Sequence, residues 1–210
     1  MNGLLVAICG LDGSGKTTQI KLLEDWFSQK RLLCLLTKQP TNHYRQDERV
    51  RKYLDFGECT DMKVLALLSA ADRRWHLSNL IEPTLEKGTS VITDRYIYSS
   101  LAYFKVRGLD PSYVKSVNGD IREPDLTVFL DVDPSVSLSR VQKRDGSLTK
   151  YEERTPNMFH DIKNAFKEVL PENALIVDGA LDVDVIHKLI ISRIEEKLTN
   201  VERGISIGAK

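Results

Sequence analysis

The chain has 210 residues, the usual size of one domain built around a single hydrophobic core. Apolar residues make up 41% of it and charged residues 29%, which is the balance of a globular protein and excludes a disordered chain. The 30 basic residues offset the 30 acidic ones, so the formal net charge of zero excludes the strong positive charge of a general nucleic-acid-binding protein.

The first ten residues and the cysteines indicate the cellular compartment of the protein. The segment MNGLLVAICG lacks the basic flank and the long apolar run of a signal peptide, and no later run is long enough for a transmembrane helix. Cys9, Cys34 and Cys59 show no metal-ligand spacing, and the first two lie in apolar runs, which favours buried and reduced thiols. We therefore expect a cytoplasmic protein with no membrane partner.

Short apolar runs alternate with longer amphipathic stretches along the chain. The runs show little alternation of polar and apolar residues, which is typical of parallel strands covered on both faces. The predicted strands are Leu4–Cys9, Leu32–Leu36, Ser90–Thr93, Leu126–Leu130 and Leu175–Val177. This alternation predicts an α/β fold in which a five-stranded parallel sheet is flanked by helices.

The helices between these strands are marked by apolar stripes and by their first residues. Ile20, Leu23 and Phe27 share one face of the first helix. A similar stripe marks the last helix, with apolar residues at 183, 186, 190, 194 and 198. Three pairs of a capping residue and a proline predict helix starts at Asp110-Pro111, Asp133-Pro134 and Thr155-Pro156.

The segment GLDGSGKT, from Gly10 to Thr17, fits the pattern G-x-x-x-x-G-K-[ST] and lies between the first strand and the first helix. Its glycines let the backbone wrap around phosphate groups, and the amides at the helix N-terminus point toward them. Lys16 is expected to reach the β- and γ-phosphates, and the Thr17 hydroxyl is expected to bind Mg²⁺. The motif predicts a P-loop NTPase fold that uses ATP and Mg²⁺. The residues expected at ATP are Gly10, Asp12, Gly13, Ser14, Gly15, Lys16, Thr17 and Thr18.

Asp94 ends the third predicted strand, at the edge of the sheet where open α/β sheets bind their ligands. A carboxylate in this place is suited to hold Mg²⁺ together with Thr17, directly or through water. The alternative is that Asp94 caps the helix that follows, and the two roles are compatible.

The class of P-loop protein follows from the rest of the chain. The guanine-reading N-K-x-D loop of GTPases does not occur, and large ATPase machines need a longer chain. The polar segment QKRDGSLTKYEER at 142–154 favours a small kinase that closes a charged lid over its phosphates, with a plain solvated loop as the alternative. Cations for a phosphoryl transition state are available in and beside this lid. We expect one kinase domain over residues 1–200, and a tail over 201–210.

Together with four further segments, the P-loop gives the chain a resemblance to the thymidylate kinases. Ala71–His76 reads ADRRWH, like the family's ADRxxH, and Asp94–Tyr103 reads DRYIYSSLAY, like DRYxxSSxAY, followed by the family's RGL at 107–109. Residues 124–134, from PDL to LDVDP, match the segment before the lid, and 174–179 fits the strand before the adenine-side loop. The resemblance implies a nucleoside monophosphate kinase that passes the γ-phosphate of ATP to dTMP.

The resemblance also implies roles for residues of the acceptor site. Asp12 is expected at the 3′-hydroxyl of the acceptor sugar, Arg73 at the thymine edge and Arg95 at the acceptor phosphate. Arg51 aligns with a phosphate-binding arginine of the family, and its alternative role is a charge on a solvated helix face. The other residues expected at the acceptor are Gln39, Pro40, Ser69, Ser99, Ser100, Tyr103 and Phe104.

Gly13 stands where some members of the family carry an arginine that reaches the transferred phosphate. The cation is then expected from the lid, with Arg144 as the first candidate and Arg140 or Lys150 as alternatives. Arg140 is otherwise expected to stack on adenine. The predicted catalytic set is Lys16, Asp94, Arg95 and Arg144.

Three residues depart from the family around the base. Ser69 replaces a phenylalanine that stacks on thymine in many members, Gln39 lies in the segment that reads REP in the family, and Phe104 replaces the glutamine of AYQG. Losing an aromatic platform costs about 1–3 kcal/mol by analogy with base stacking elsewhere. We expect Phe104 to restore it, with an ordinary core role as the alternative.

These departures keep other functions open. The acceptor could be another nucleoside monophosphate or a nucleoside, and a non-catalytic nucleotide-binding sensor derived from a kinase is a further alternative. The intact Lys16, Thr17, Asp94 and Arg95 argue against the sensor. The family resemblance also implies a homodimer.

Overall fold

The computed structural model describes residues 2–146 and 156–202 of the chain. Its strands are Leu5–Gly10 (β1), Cys34–Lys38 (β2), Ser90–Asp94 (β3), Leu126–Asp131 (β4) and Leu175–Asp178 (β5). They form one parallel sheet in the order β2-β3-β1-β4-β5. The predicted α/β fold with a five-stranded parallel sheet is therefore confirmed.

Ten α-helices lie within the described ranges. They are Lys16–Gln29 (α1), Asn42–Gln46 (α2), Glu48–Phe56 (α3), Met62–His76 (α4), Glu82–Glu86 (α5), Ile97–Val106 (α6), Pro111–Asn118 (α7), Pro134–Asp145 (α8), Pro156–Val169 (α9) and Val183–Glu202 (α10). The helix starts predicted at Asp110 and Asp133 are confirmed, because each carboxylate accepts a hydrogen bond from a backbone N–H of the first turn. None of the helices in these ranges is long and apolar enough to cross a membrane.

Helices cover both faces of the sheet, which explains why the strand residues are apolar without alternation. On one face, Val6 and Ile8 pack with residues of α1 and α10 such as Leu23 and Ile190. The opposite face, which includes Ala7, packs against α3, α4, α6 and α9. Because all strands are parallel, the loops after β1 and β3 leave the sheet at the same edge, side by side.

The second strand lies two residues later than predicted. Leu32 N–H still bonds to the carbonyl of Phe27 at the end of α1, and the turn at Arg31 has φ 57°. Leu33 is 69% exposed, and β2 begins only at Cys34. Because β2 is an edge strand, Cys34 is half-buried rather than buried as expected.

Two helices overlap the predicted bounds of the lid and of the tail. Helix α8 runs to Asp145, so the first four residues of the predicted lid at 142–154 continue this helix. Helix α10 extends to Glu202, past the predicted end of the domain at residue 200. Thr155, Lys150 and the rest of the lid from residue 147 lie outside the described residues.

Candidate active site

The loop between β1 and α1 follows the predicted phosphate-binding geometry, and Gly13 shows why part of it must be glycine. Its φ of 81° lies in the left-handed region. A Cβ at this position would lie 2.4 Å from the carbonyl oxygen of Ser137 in α8. The close approach of α8 therefore leaves no room for the arginine that some thymidylate kinases carry at the corresponding position.

Lys16 is buried at the first position of α1 and directed back into the loop. Its Nζ donates to the carbonyls of Leu11 at 2.7 Å and Gly10 at 3.3 Å, and lies 3.7 Å from Oδ1 of Asp12. Burial, together with the positive charge of Arg95, lowers the pKa of Lys16 to about 8. A bound phosphate would add further negative charge beside this ammonium group and would favour its protonated form.

A cavity, which we call the P-loop cavity, opens above this loop. All the residues predicted at ATP line it except Gly10, and Arg140 and Arg144 of α8 line it too. Apolar residues after β5, which the sequence analysis did not place at the site, also line it: Leu181, Val183 and Ile186. The cavity thus combines the polar, amide-rich loop with apolar side chains, as a nucleotide with its phosphates and base requires.

Asp94 and Thr17 both line the P-loop cavity, and their chemistry fits Mg²⁺. Oδ1 of Asp94 is buried and has no hydrogen-bond partner among the described residues. A buried carboxylate oxygen without a partner is costly, and a hard cation is the ligand that would satisfy it. The capping alternative is wrong, because α6 begins at Ile97 and Tyr96 precedes it.

Arg95 follows β3 and connects it to the phosphate loop. Its Nη2 donates to Oδ1 of Asp12 at 2.5 Å and to the hydroxyl of Tyr103 at 3.2 Å, while Nη1 donates to Oγ of Ser99 at 3.4 Å. Burial lowers the pKa of Arg95, but Tyr103 and Asp12 outweigh it, so its pKa is raised well above the usual value. This guanidinium is therefore a permanent positive charge between the loop and α6.

A second cavity, the serine cavity, lies beside the first and is lined by Ser69, Ser99 and Ser100. Most of the residues predicted at the acceptor line it: Asp12, Pro40, Ser69, Arg95, Ser99, Ser100, Tyr103 and Phe104. Residues that the sequence analysis missed complete it: Tyr44, Arg45, Leu54 and Arg107. Among the described residues, Asp12, Arg45 and Arg95 line both cavities, so the two cavities meet at these side chains.

Three residues predicted at the acceptor do not line the serine cavity. Gln39 and Arg73 are 0% and 1% exposed and lie in a layer behind its wall. Arg73 donates from Nε to Oε1 of Gln39 at 3.0 Å and from Nη2 to Oγ of Ser100 at 2.6 Å, and it also donates to Asn118. Arg51 lies on the exposed side of α3, lines neither cavity and pairs with Asp55.

The layer behind the cavity continues to His76, which the sequence analysis did not single out. Because Oε1 of Gln39 accepts from Arg73, its amide nitrogen must donate to Nδ1 of His76, 3.1 Å away. The remaining ring nitrogen, Nε2, then carries the proton and donates to Thr37 at 2.9 Å. Burial lowers the pKa of His76, which keeps the ring neutral and holds Gln39 and Arg73 in one orientation.

The two arginines of α8 face the P-loop cavity in different ways. Nη1 of Arg140 donates to the carbonyl of Gly13 at 3.2 Å. Arg144 forms two hydrogen bonds of 2.6 Å with its neighbour Asp145. Arg140 is thus bonded to the phosphate loop, whereas Arg144 pairs through Nε and Nη2 with a carboxylate of its own helix.

The parallel sheet, the phosphate loop and two cavities that meet at a buried arginine define a P-loop kinase of small nucleotides. Comparison with known proteins narrows this class. The model of the family described as "Thymidylate kinase" matches residues 8–190, and the chain belongs to this family.

Similar proteins carry the same description. A probable thymidylate kinase of Pyrococcus horikoshii is 38% identical over 204 residues, which cover 94% of this chain and 98% of that protein. A probable thymidylate kinase of Pyrobaculum aerophilum is 42% identical over 147 residues, covering 70% and 73% of the two chains. A thymidylate kinase of Francisella tularensis subsp. novicida is 31% identical over 208 residues, covering 90% and 94%.

Proposed function

We propose that the protein transfers the γ-phosphate of ATP to dTMP, giving dTDP and ADP. The observation that carries this proposal is the meeting of the P-loop cavity and the serine cavity at Asp12 and Arg95. A phosphoryl group can pass directly between two nucleotides only where their phosphates meet and the attacking oxygen is in line with the bond that breaks. The family and the similar proteins support the same reaction.

ATP is proposed to place its phosphates on the loop and its base against the apolar side chains of the P-loop cavity. Lys16 lies where it can contact the β- and γ-phosphates, and the backbone amides after Gly13 can donate to them. Thr17 and Asp94 would hold Mg²⁺, which supplies charge neutralisation at the β- and γ-phosphate oxygens when it is bound.

The acceptor phosphate is already anionic, so its oxygen can attack the γ-phosphate without a strong general base. Arg95 would position that phosphate, and Asp12 would accept a hydrogen bond from the 3′-hydroxyl of the sugar. Lys16, Arg95 and a lid arginine, of which Arg144 is the proposed one, stabilise the charge on the group in transfer. We propose residues 142–154 as the lid that excludes water during this step.

The polar wall of the serine cavity supports a base with a carbonyl edge. Oγ of Ser100 accepts from Arg73 at 2.6 Å and lies 3.4 Å from Oγ of Ser69, so its own hydrogen can point either to Ser69 or to a ligand in the cavity. When this hydroxyl donates into the cavity, it matches a carbonyl oxygen of thymine or uracil. Phe104 and Leu54 add apolar surface that suits a methylated pyrimidine.

We also propose that the enzyme is a cytoplasmic homodimer. The cysteines at 9, 34 and 59 are free, which suits a reducing compartment. Leu67 and Trp75 on α4 are 51% and 52% exposed and are the side chains we expect a second copy to cover. Light scattering during gel filtration should give the mass of a dimer, and Leu67→Glu should shift it toward the monomer.

A coupled assay of ADP release tests the reaction itself, with ATP and Mg²⁺ against dTMP, dUMP, UMP, dCMP, dGMP, AMP and thymidine. Saturable turnover with dTMP well above the others is the expected result. A preference for another acceptor would keep the kinase but contradict the proposed base. ATP binding without turnover of any acceptor would contradict catalysis and favour a nucleotide sensor.

A further inference from the structure

Arg45 lies on α2, outside the sequence motifs, and its side chain is held in place at one nitrogen only. Its Nε donates to the carbonyl of Pro40 at 3.1 Å, which holds the Nε side of the guanidinium against the segment after β2. Within the described ranges, its two terminal nitrogens make no hydrogen bond and no ion pair with another side chain. Arg45 is thus a cation held at Nε, and both of its terminal NH₂ groups are still available to bind a ligand.

The position of this fork is informative. Arg45 lines the serine cavity beside Pro40 and Tyr44, and it also lines the P-loop cavity together with Lys16 and Asp94. It is therefore one of the residues at the junction of the two cavities, where a phosphate that passes between two nucleotides must lie. Planar guanidinium groups bind phosphate oxygens in pairs, which is the geometry this position offers.

The other residues at the junction do not fully neutralise the negative charge that an acceptor phosphate would bring. The carboxylate of Asp12 pairs with Arg95 at 2.5 Å, so part of the positive charge of Arg95 is already compensated. The Nη atoms of Arg95 also donate to Tyr103 and Ser99. A nucleoside monophosphate brings close to two negative charges at neutral pH, so one more cation at this point would stabilise it.

Arg51, the arginine expected at the acceptor phosphate from sequence, does not supply this cation. Its side chain is 49% exposed and pairs with Asp55 one helical turn further along α3. It lines neither the serine cavity nor the P-loop cavity. The six positions that separate Arg45 from Arg51 place the two arginines on different helices.

We infer that Arg45, rather than Arg51, binds the acceptor phosphate together with Arg95. The inference rests on the proposed function only in requiring a nucleoside monophosphate as acceptor, whatever its base. Arg45 contributes the charge-assisted hydrogen bonds that distinguish a nucleotide from the corresponding nucleoside.

The test compares the binding of dTMP and thymidine by titration calorimetry, without ATP, because the two ligands differ only in the phosphate. For Arg45→Gln we expect the preference for dTMP over thymidine to fall about 10- to 100-fold, the effect of losing a charge-assisted phosphate contact. Arg45→Lys, which keeps the charge without the fork, should give a smaller loss. Arg51→Gln should keep the preference of the wild type, and Arg193→Gln, a surface arginine of α10, serves as the matched control.

The outcomes separate this inference from the proposed function. An unchanged preference in Arg45→Gln, or a loss in Arg51→Gln alone, overturns the assignment of Arg45 even if dTMP is the substrate. Turnover of another monophosphate in place of dTMP would contradict the proposed identity of the base. The role of Arg45 is then tested by the same comparison between that monophosphate and its nucleoside. A wild type that binds no monophosphate overturns both. Equal loss of nucleotide and nucleoside binding, with an altered circular dichroism spectrum, would show a structural role instead and also overturn the inference.

Discussion

Nη2 of Arg95 lies 2.5 Å from Oδ1 of Asp12, and this ion pair joins the end of β3 to the phosphate loop. The two side chains are only 7% and 19% exposed. Removing one partner of a buried pair costs about 3–5 kcal/mol, because the other charge stays buried without compensation. We expect Asp12→Ala to lower the free energy of unfolding by about 3 kcal/mol, measured by chemical denaturation, and to lower kcat/KM for the acceptor.

The exposed pair of Arg51 and Asp55 provides the control for this prediction. Its side chains are 49% and 34% exposed, so water and salt screen their attraction. Asp55→Ala should therefore change the free energy of unfolding by less than about 1 kcal/mol. Equal losses in Asp12→Ala and Asp55→Ala would contradict the structural role of the Asp12–Arg95 pair.

Two glycines of the phosphate loop allow backbone strain to be separated from crowding. Gly13 and Gly15 have φ values of 81° and 96°, so alanine is strained at both positions. An added Cβ meets the carbonyl of Ser137 at 2.4 Å from Gly13, but nothing within 4 Å from Gly15. Gly13→Ala should lower the melting temperature by several degrees more than Gly15→Ala, and similar melting temperatures would contradict the packing of α8 on the loop.

The sequence predicted the phosphate loop well because its geometry is local. One short segment carries the glycines, Lys16 and Thr17, and the position between a strand and a helix fixes where they point. The boundaries of the strands are harder to predict. Leu33 was placed in the second strand because it is apolar, but it precedes the strand and is exposed.

The residues of the serine cavity come from separate elements, so the sequence alone does not show which of them meet. Gln39 and Arg73 belong to different elements and meet in a buried layer that sequence spacing does not reveal. Arg45 and Arg51 lie on two short helices, and which of them faces the cavities depends on the turn at Asp47 between them. An arginine close after the Gln39-Pro40 segment was the only signal in the sequence that pointed to Arg45.

The buried His76 predicts a pH dependence of stability. Burial holds its pKa below the unfolded value of 6.5, so the unfolded chain takes up a proton first as the pH falls. Stability from this residue is therefore complete above pH 6.5 and is lost as the pH falls below it. In Gln39→Glu, a carboxylate next to Nδ1 would favour the protonated ring and raise the pKa of His76.

Thermal unfolding between pH 7.5 and about pH 5 checks this prediction. The wild type should lose stability over this interval, and Gln39→Glu should lose less. The pKa of His187 is also lowered by burial, but its contribution is the same in both proteins and cancels in the comparison. Parallel curves for the two proteins would show that His76 and Gln39 are not coupled.

Phe104 predicts an effect on the acceptor alone. Its ring lines the serine cavity, and the guanidinium of Arg107 lies 4.8 Å from the ring centroid. Phe104→Leu keeps most of the buried volume but removes the flat ring, so we expect the KM for dTMP to rise several-fold while the KM for ATP stays constant. An unchanged KM for dTMP would assign Phe104 to the core, and Phe129→Leu provides a control at a buried aromatic residue that lines neither cavity.

Replacing the two arginines of α8 should affect different kinetic constants: the KM for ATP in one case and kcat in the other. Arg140 is fixed to the carbonyl of Gly13, so Arg140→Ala should raise the KM for ATP with little change in kcat. Arg144 is held by Asp145 and is proposed to reach the transferred phosphate only when the lid closes, so Arg144→Ala should lower kcat about 100-fold or more. Steady-state kinetics at saturating dTMP measure both. A loss of kcat in Arg140→Ala, with Arg144→Ala unaffected, would exchange the two roles, because a cation that acts only in the transition state changes kcat and not the binding of ATP.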